Sequence, residues 1–261
     1  MAKIEHIFEN LTNGATYYGK VFSVNPKKRV NNRADLTVFA AIPSTFPAEP
    51  TDYELIGSYT SSQTWTAPEN GWFKIEVYGA SGNGGKAAWS VYSYDSDDEI
   101  ETVNFGTGGG GASGGYCCSI VKLNAGDTVV ISSLDIGNVA TLYFNSSVEV
   151  YPNILVASGG NGGNASSSQS GGASAGSAGI AGSVSGGNVD NIKGNNGSAG
   201  VARNRYGVNT ATAGAAGGAA INGGNAGGTG GGYARGGGLV APTSGKAGFV
   251  NISRGNTNVT A

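Results

Sequence analysis

The sequence predicts an all-β protein, a small β-sandwich with an inserted bundle of polyglycine-II helices. Short segments alternate between apolar and polar residues with the period of two that is typical of strands, and no segment of useful length has helical periodicity. Between residues 158 and 246, glycine occupies every third position in several runs, such as Gly176-x-x-Gly179-x-x-Gly182. Three residues per turn is the period of the polyproline-II helix, whose backbone groups must bond to neighbouring segments or to water.

Composition excludes several classes of function. Of the 261 residues, 12% are charged, and the formal net charge is −2, so no nucleic-acid partner is expected, because phosphate neutralisation needs a basic patch. Cys117 and Cys118 are adjacent in an apolar alternating segment, which excludes a disulfide framework and favours plain strand residues. No run approaches the roughly 20 apolar residues of a membrane span, and the N-terminus lacks the apolar region of a signal peptide. We expect no membrane insertion, and synthesis in the cytoplasm.

The first predicted region spans residues 1–45. Alternating segments separated by turn residues predict three short strands, in residues 4–8, 16–24 and 35–41. The pattern from Leu11 to Phe22 resembles the last strands of a fibronectin type III domain, whose whole sandwich takes roughly 100 residues, so this region is interpreted as a partial fibronectin III-like β piece. Three strands leave an apolar face and a bare edge, and we expect the piece to dock on another chain or on the next domain. A proline-rich linker, 46–54, follows.

The sandwich itself is predicted from residues 55–157 together with 247–253. Its predicted strands are 55–60, 63–66, 72–78, 116–123, 128–132, 139–144, 148–151, 154–157 and 247–253. Because the glycine-rich chain lies between two of these strands, we interpret it as an insertion whose ends must meet in one small domain.

Three structures are possible for the inserted residues 158–246. Eight of the 48 glycines fall in residues 1–104 and 40 in 105–261, so glycine is concentrated in one part of the chain. A disordered Gly/Ser linker need not keep a spacing of three, and collagen needs an unbroken repeat with abundant proline, whereas this region has one proline, Pro242. The spacing therefore favours a bundle of short polyglycine-II helices that bond to one another.

The glycine runs set the expected helices of this bundle. They are 106–115, 158–164, 171–179, 182–187, 194–200, 214–220, 223–230, 231–238 and 245–249. The segments between them that are poor in glycine, 188–193, 201–206 and 239–243, are predicted as turns. Glycine loses more freedom on ordering than any other residue, so dense backbone hydrogen bonding must offset that cost. Such a scaffold would leave its loops free to vary.

Several segments carry a resemblance to a known family. Residues 65–82, Trp-Thr-Ala-Pro-Glu-Asn-Gly-Trp-Phe-Lys-Ile-Glu-Val-Tyr-Gly-Ala-Ser-Gly, followed by 108–116 and 123–131, resemble the glycine-rich domain at the tips of phage tail fibres and phage-like bacteriocin tails. The glycine-rich insertion resembles the polyglycine-II sandwich of tail-fibre adhesins of T-even-like phages. This resemblance covers about residues 55–253. It implies a receptor-binding module in a virion tail.

The first candidate surface is an acidic and aromatic insert at residues 86–104. Trp89, Tyr92 and Tyr94 supply stacking area at low entropy cost, and the spacing of the two tyrosines would place both on one strand face. Asp95 and Asp97 belong to an adjacent acidic cluster that lacks the glycine of a calcium loop, which favours a solvated hairpin tip over a metal site. The open alternative is that the aromatic residues pack on the sheet.

The second candidate surface combines two predicted turns of the bundle. Arg203, Arg205 and Tyr206 lie in one of them, and Tyr233 and Arg235 lie in another. Arginine and tyrosine are enriched at binding hot spots. The alternative is that these residues only end the helices.

Catalysis is not expected, and we predict no catalytic, metal-binding or cofactor-binding residues. His6 is the only histidine and lies far from candidate nucleophiles in the sequence. Hydrolysis of a surface polysaccharide would predict paired carboxylates in a cleft, and none are evident outside residues 95–99.

The expected function is therefore a non-enzymatic adhesin that binds a bacterial surface glycan or protein. The alternative is a structural or ice-binding glycine-rich protein, which rows of Asn and Ser on one flat face would favour; charged and aromatic residues confined to loop tips favour adhesion. The resemblance implies a second partner, another tail-fibre chain held through the N-terminal segment. A homotrimer is compatible with it, and the sequence leaves the oligomeric state open.

Overall fold

The computed structural model describes residues 17–20, 38–41, 49–94, 101–168, 172–206, 211–234 and 238–256. The chain divides into two compact units, Met1–Ala48 and Glu49–Ala261. Within the described residues all regular structure is β-strand and every strand pairing is antiparallel, which confirms the all-β class.

Nineteen strands are described. The first nine are β1 Tyr17–Lys20, β2 Val38–Ala41, β3 Tyr53–Tyr59, β4 Gln63–Thr66, β5 Gly71–Tyr78, β6 Ala88–Tyr94, β7 Glu101–Gly106, β8 Tyr116–Leu123 and β9 Thr128–Ser132. The others are β10 Val139–Asn145, β11 Ile154–Ala157, β12 Ser166–Ser168, β13 Gly172–Ser174, β14 Val184–Ser185, β15 Asp190–Ile192, β16 Ala202–Tyr206, β17 Gly232–Ala234, β18 Gly238–Val240 and β19 Phe249–Gly255.

The first unit contributes one described pair of strands. β1 pairs with β2, from Tyr17 opposite Ala41 to Lys20 opposite Val38. These strands lie within two of the three segments predicted there. The third predicted strand, 4–8, lies outside the described residues.

Two five-stranded sheets form the core of the second unit, and we call them together the sandwich. Their strand orders are β14-β11-β10-β9-β4 and β15-β8-β5-β19-β3. The alternation of side chains along a strand explains how these sheets pack face to face. Along β5 the odd positions are fully buried, while Trp72, Lys74 and Glu76 are only partly buried. Phe73, from one sheet, and Leu142, from the other, belong to the same hydrophobic cluster. The sandwich therefore has a conventional side-chain core.

One predicted strand of the sandwich is wrong. Residues 148–151 form no strand, and the chain between β10 and β11 is a loop that hydrogen bonds hold to a neighbouring turn. The Asp127 carboxylate accepts bonds from the Ser147 N–H at 3.1 Å and the Ser147 hydroxyl at 2.8 Å. The alternation of apolar residues in 148–151 therefore does not mark a strand. Tyr151 packs on Phe144, while Val150 is 95% exposed.

The glycine-rich segments pair by backbone hydrogen bonds that recur every third residue. The Gly109 N–H donates to the Gly163 carbonyl at 3.0 Å, and the same two segments bond again at positions 112 and 160 and at 115 and 157. A strand ladder would repeat every second residue. Extended segments with a three-residue bonding period therefore make up this part of the molecule, and they include residues 79–86, which the sequence analysis did not assign to the bundle.

Residues 107–115 form the centre of these segments. Six neighbouring segments bond to them: 79–85, 157–163, 195–201 and 228–231 run antiparallel, and 176–182 and 215–218 run parallel. Every residue from 104 to 119 is buried. A Cβ at Gly110 would overlap the carbonyl of Ala216, so only glycine fits at that position. We call this whole arrangement the glycine bundle.

Each of the three segments predicted as turns contains strand residues. Within 188–193, β15 pairs with β8 at the edge of the sandwich; within 201–206, β16 pairs with β7; and within 239–243, part of β18 pairs with β17. Segments predicted as glycine helices also contain short strands, namely β13, β14 and β17. The segments predicted as turns are low in glycine because their residues pair with neighbouring strands. A prediction from local sequence alone does not include those pairings.

Candidate functional site

The strands next to the glycine bundle fall at two levels, one at each end. At one end, residues 79, 115, 157 and 183 adjoin sandwich strands β5, β8, β11 and β14. At the other end, Thr107, which follows β7, bonds to Val201, which precedes β16, and to Gly176, which lies near the end of β13. Gly108 bonds to Gly231, which precedes β17. We call the strands of this second end, β6, β7, β12, β13, β16, β17 and β18, the apex.

The apex brings the two predicted surfaces together in one sheet. Its strand order is β16-β7-β6, so the strand that carries Arg203 and the strand that carries Trp89 both pair with β7. Phe105 is the direct partner of Trp89 on one side and of Arg203 on the other. Residues directly opposite one another share a face of the sheet, so these three form one row.

Tyr233 packs against this row. Its ring stacks on Phe105 with centroids 5.1 Å apart and planes 15° apart, and its centroid lies 6.3 Å from that of Trp89. Tyr233 and Phe105 are each 3% exposed, whereas Trp89 is 38% exposed and Arg203 is exposed. Tyr233 therefore supports the row from within rather than projecting from a loop, and Trp89 and Arg203 are the parts of the row that solvent reaches.

For the other predicted residues, the structure gives the position in a strand, or the residue lies outside the described ranges. Arg205 and Tyr206 continue β16, opposite Val103 and Thr102. Tyr94 ends β6, and the register of β6 shifts between Val91 and Ser93, so a β-bulge at Tyr92 interrupts the expected alternation. The predicted residues outside the described ranges are Asp95, Asp97 and Arg235.

Sequence reasoning missed part of the apex. Phe105, the centre of the row, carried no signal beyond its strand alternation. The hairpin of β12 and β13 packs against β6, β7 and β16, although its sequence is low in complexity. On β18, Leu239 and Val240 are about half exposed beside Tyr233, which gives the apex an apolar flank. No local pattern distinguishes these residues, because their proximity depends on the register of the bundle.

The described part of the chain has two buried cysteines and no cluster of metal-ligating side chains. No group of three or more His, Cys, Asp or Glu side chains there is placed to hold a metal ion. Cys117 and Cys118 are free, buried strand residues, and burial, followed by the neighbouring Cys118 and Asp190, raises the pKa of Cys117 to about 12. This thiol therefore stays protonated at neutral pH. Within the described ranges, no helix is long and apolar enough to cross a bilayer.

Comparison with known proteins adds no relative. No significant match to the chain was found among protein-family models, curated protein sequences or solved structures. The class that the described residues define is an all-β protein with a sandwich, a glycine bundle and a strand-built apex.

Proposed function

We propose that this protein is a non-enzymatic receptor-binding adhesin at the tip of a phage or phage-like tail fibre, and that its apex contacts a bacterial surface glycan or protein. One observation carries the proposal: the connections of the glycine bundle away from the sandwich gather at a single end, where an exposed tryptophan and an exposed arginine flank a buried aromatic stack. Tryptophan and arginine are the residue types most enriched at binding hot spots.

The frame in this proposal is a bundle of polyglycine-II helices. Three features support it: backbone bonds repeat every third residue, neighbouring segments run both parallel and antiparallel, and six of them surround residues 107–115. Small polar side chains replace missing backbone acceptors at its surface, as where the Asn83 N–H donates to the Asn161 Oδ1 at 2.8 Å. A frame held through its backbone fixes the apex while leaving apex side chains free to differ.

The rest of the proposal follows the resemblance. The partial fibronectin III-like residues 1–45 attach the chain to another tail-fibre chain, and the protein resides in the virion tail. A homotrimer, common among tail fibres, is the assembly to be tested first, by light scattering of the purified chain.

Binding to whole bacteria tests the function. Fluorescently labelled protein is titrated against a panel of Gram-positive and Gram-negative cells, and Trp89→Ala and Arg203→Ala are compared with the parent chain. Each variant is expected to weaken binding about tenfold or more. Arg254→Ala is the matched control, because Arg254 is half-exposed on β19 and pairs with Glu69, away from the apex. Equal loss in all three variants, or none, would contradict apex recognition.

Amide hydrogen exchange tests the frame independently. The amides of residues 107–115 are expected to exchange as slowly as those of β5, because both are buried and bonded. Exchange of this segment at random-coil rates would exclude an ordered bundle, whatever the cells bind.

A further inference from the structure

A groove of about 380 Å³ lies on the sandwich, on the outer side of β5 and β8. The groove lies at the end of these strands that is farther from the glycine bundle. Trp72 pairs with Lys122 in the groove, whereas Tyr78 pairs with Tyr116 beside the bundle. The residues that the argument uses are Glu49, Trp72, Lys122, Glu149, Tyr151 and Asn188.

The floor of this groove is held in place by internal contacts. The Tyr151 hydroxyl accepts the Lys122 N–H at 2.7 Å and lies 3.3 Å from the Glu149 Oε2. Asn188 is fixed at both ends of its amide, since its Oδ1 accepts the Ile120 N–H at 2.9 Å and its Nδ2 donates to the Ile120 carbonyl at 2.8 Å. A ligand would therefore meet a preorganised surface, which lowers the cost of ordering on binding.

The charges in the groove select the class of ligand. The Lys122 Nζ lies 4.6 Å from the centroid of the Trp72 ring, so an organic cation would be repelled from that ring. Two exposed carboxylates, Glu49 and Glu149, oppose a single ammonium, which disfavours an anion. A neutral molecule with hydroxyl donors and an apolar face satisfies both conditions.

We propose that this groove is a binding site for a neutral saccharide. The apolar face of a pyranose would pack on the Tyr151 ring and on the part of the Trp72 ring that the Lys122 ammonium leaves open, and its hydroxyls would donate to the carboxylates of Glu49 and Glu149. The site is separate from the apex: six residues of β5 and all eight of the 79–86 segment lie between them, a path on the order of 45 Å. A fibre with both sites would bind a glycan-coated surface at two points, with the gain that multivalency gives.

Nuclear magnetic resonance of the isotope-labelled full chain tests the proposal. The probes are the methyl glycosides of glucose, galactose, rhamnose, N-acetylglucosamine and N-acetylgalactosamine, with tetramethylammonium as the competing cation. At least one glycoside is expected to shift the Trp72 indole N–H saturably, with a dissociation constant of about 1 mM, typical of a single weakly held ring. Trp72→Leu is expected to weaken binding about tenfold.

A matched pair of carboxylate variants keeps the test decisive if Trp72→Leu fails to fold. Glu149→Gln should weaken the glycoside about threefold to tenfold, because it removes a charged acceptor. Glu69→Gln, an exposed carboxylate on the same unit but outside the groove, should leave the affinity unchanged. The proposal is overturned if no glycoside shifts the groove, if Glu149→Gln binds like Glu69→Gln, or if tetramethylammonium binds in place of the sugars. None of these outcomes bears on the apex.

Discussion

The sandwich and the glycine bundle fill their interiors in opposite ways. In the sandwich, side chains such as Phe73, Ile75 and Leu142 are fully buried between sheets, and the strand-pairing hydrogen bonds join neighbouring strands of the same sheet. In the bundle, residues 107–115 are bonded to six neighbours, and the backbone itself is the core. A side-chain core loses stability in proportion to the volume removed, whereas a backbone core has no space for added volume.

The sandwich and the glycine bundle therefore also have different structural roles. The sandwich buries a cluster of apolar side chains, which offsets part of the cost of ordering its chain, while the bundle has few side chains to bury and depends on backbone hydrogen bonding. The sandwich therefore anchors one end of the bundle, and the bundle carries the apex at the other. Four substitutions test this division.

The largest effect is expected for Gly110→Val at the centre of the bundle. A Cβ there overlaps the Ala216 carbonyl, and the neighbouring backbone cannot move without breaking its own bonds, so we expect a loss of about 4 kcal/mol or more, above the usual range for overpacking. Chemical denaturation gives the magnitude, and hydrogen exchange shows whether the bundle opens before the sandwich. Gly71→Ala is the control: the nearest atom to an added Cβ is 3.9 Å away, so stability should hardly change. If Gly110→Val and Gly71→Ala changed the free energy of unfolding equally little, the backbone core of the bundle would accept added volume and the contrast with the sandwich would be wrong.

A slightly smaller effect is expected for Leu142→Ala in the sandwich. The side chain is fully buried, and its loss should cost about 3 kcal/mol through lost transfer energy and a residual cavity. Thermal unfolding measures the loss. Because the bundle is anchored on this core, its protected amides should be destabilised by the same amount. If the bundle keeps its protection while the sandwich unfolds, the two regions are independent.

Asp127→Asn is expected to cost about 2 kcal/mol at neutral pH. Burial raises the pKa of this carboxyl, but hydrogen bonds from Asn124, Ser147 and Ser146 outweigh it, and the net pKa is lowered. A lowered folded pKa means that the stabilisation is complete above the unfolded value of about 3.9 and is lost as the pH falls through the folded value.

The stability difference between the parent and Asp127→Asn should therefore shrink below about pH 4. Denaturation across that range measures it, and Asp135→Asn, at an exposed carboxylate of the same region, should show little difference at any pH. A difference that stays constant with pH would mean that the charge of Asp127 is not what holds the 146–149 loop.

The smallest effect is expected for Ser113→Ala within the bundle. The buried Ser113 hydroxyl accepts the Asn195 N–H at 2.7 Å, and its removal leaves that amide without this acceptor, at a cost of about 1 kcal/mol. Urea denaturation can resolve it against Ser198→Ala, an exposed serine of a neighbouring segment, which should be neutral. A neutral Ser113→Ala would show that water replaces the side-chain acceptor.

The strands of the sandwich could be predicted because alternation is a local signal. The burial of β5 alternates from Gly71 to Val77, and most predicted boundaries of sandwich strands agree within two residues. Residues 148–151 alternate as well, yet form a loop, because local pattern does not include the bonds from Asp127. In the apex, the sequence singled out Trp89 and Arg203 by type but could not show that Phe105 joins them or that Tyr233 is buried.

By itself, the sequence determined the class of fold and the presence of two kinds of interior, because apolar alternation and the three-residue spacing of glycine are both local patterns of the sequence. The tertiary structure alone decided which segments neighbour one another in the bundle, that segments low in glycine become strands, and that two distant surfaces meet at one apex. The physical reason is that the glycine segments resemble one another and carry few side chains that could specify partners. Register is then set by the sandwich strands at one end and the apex strands at the other.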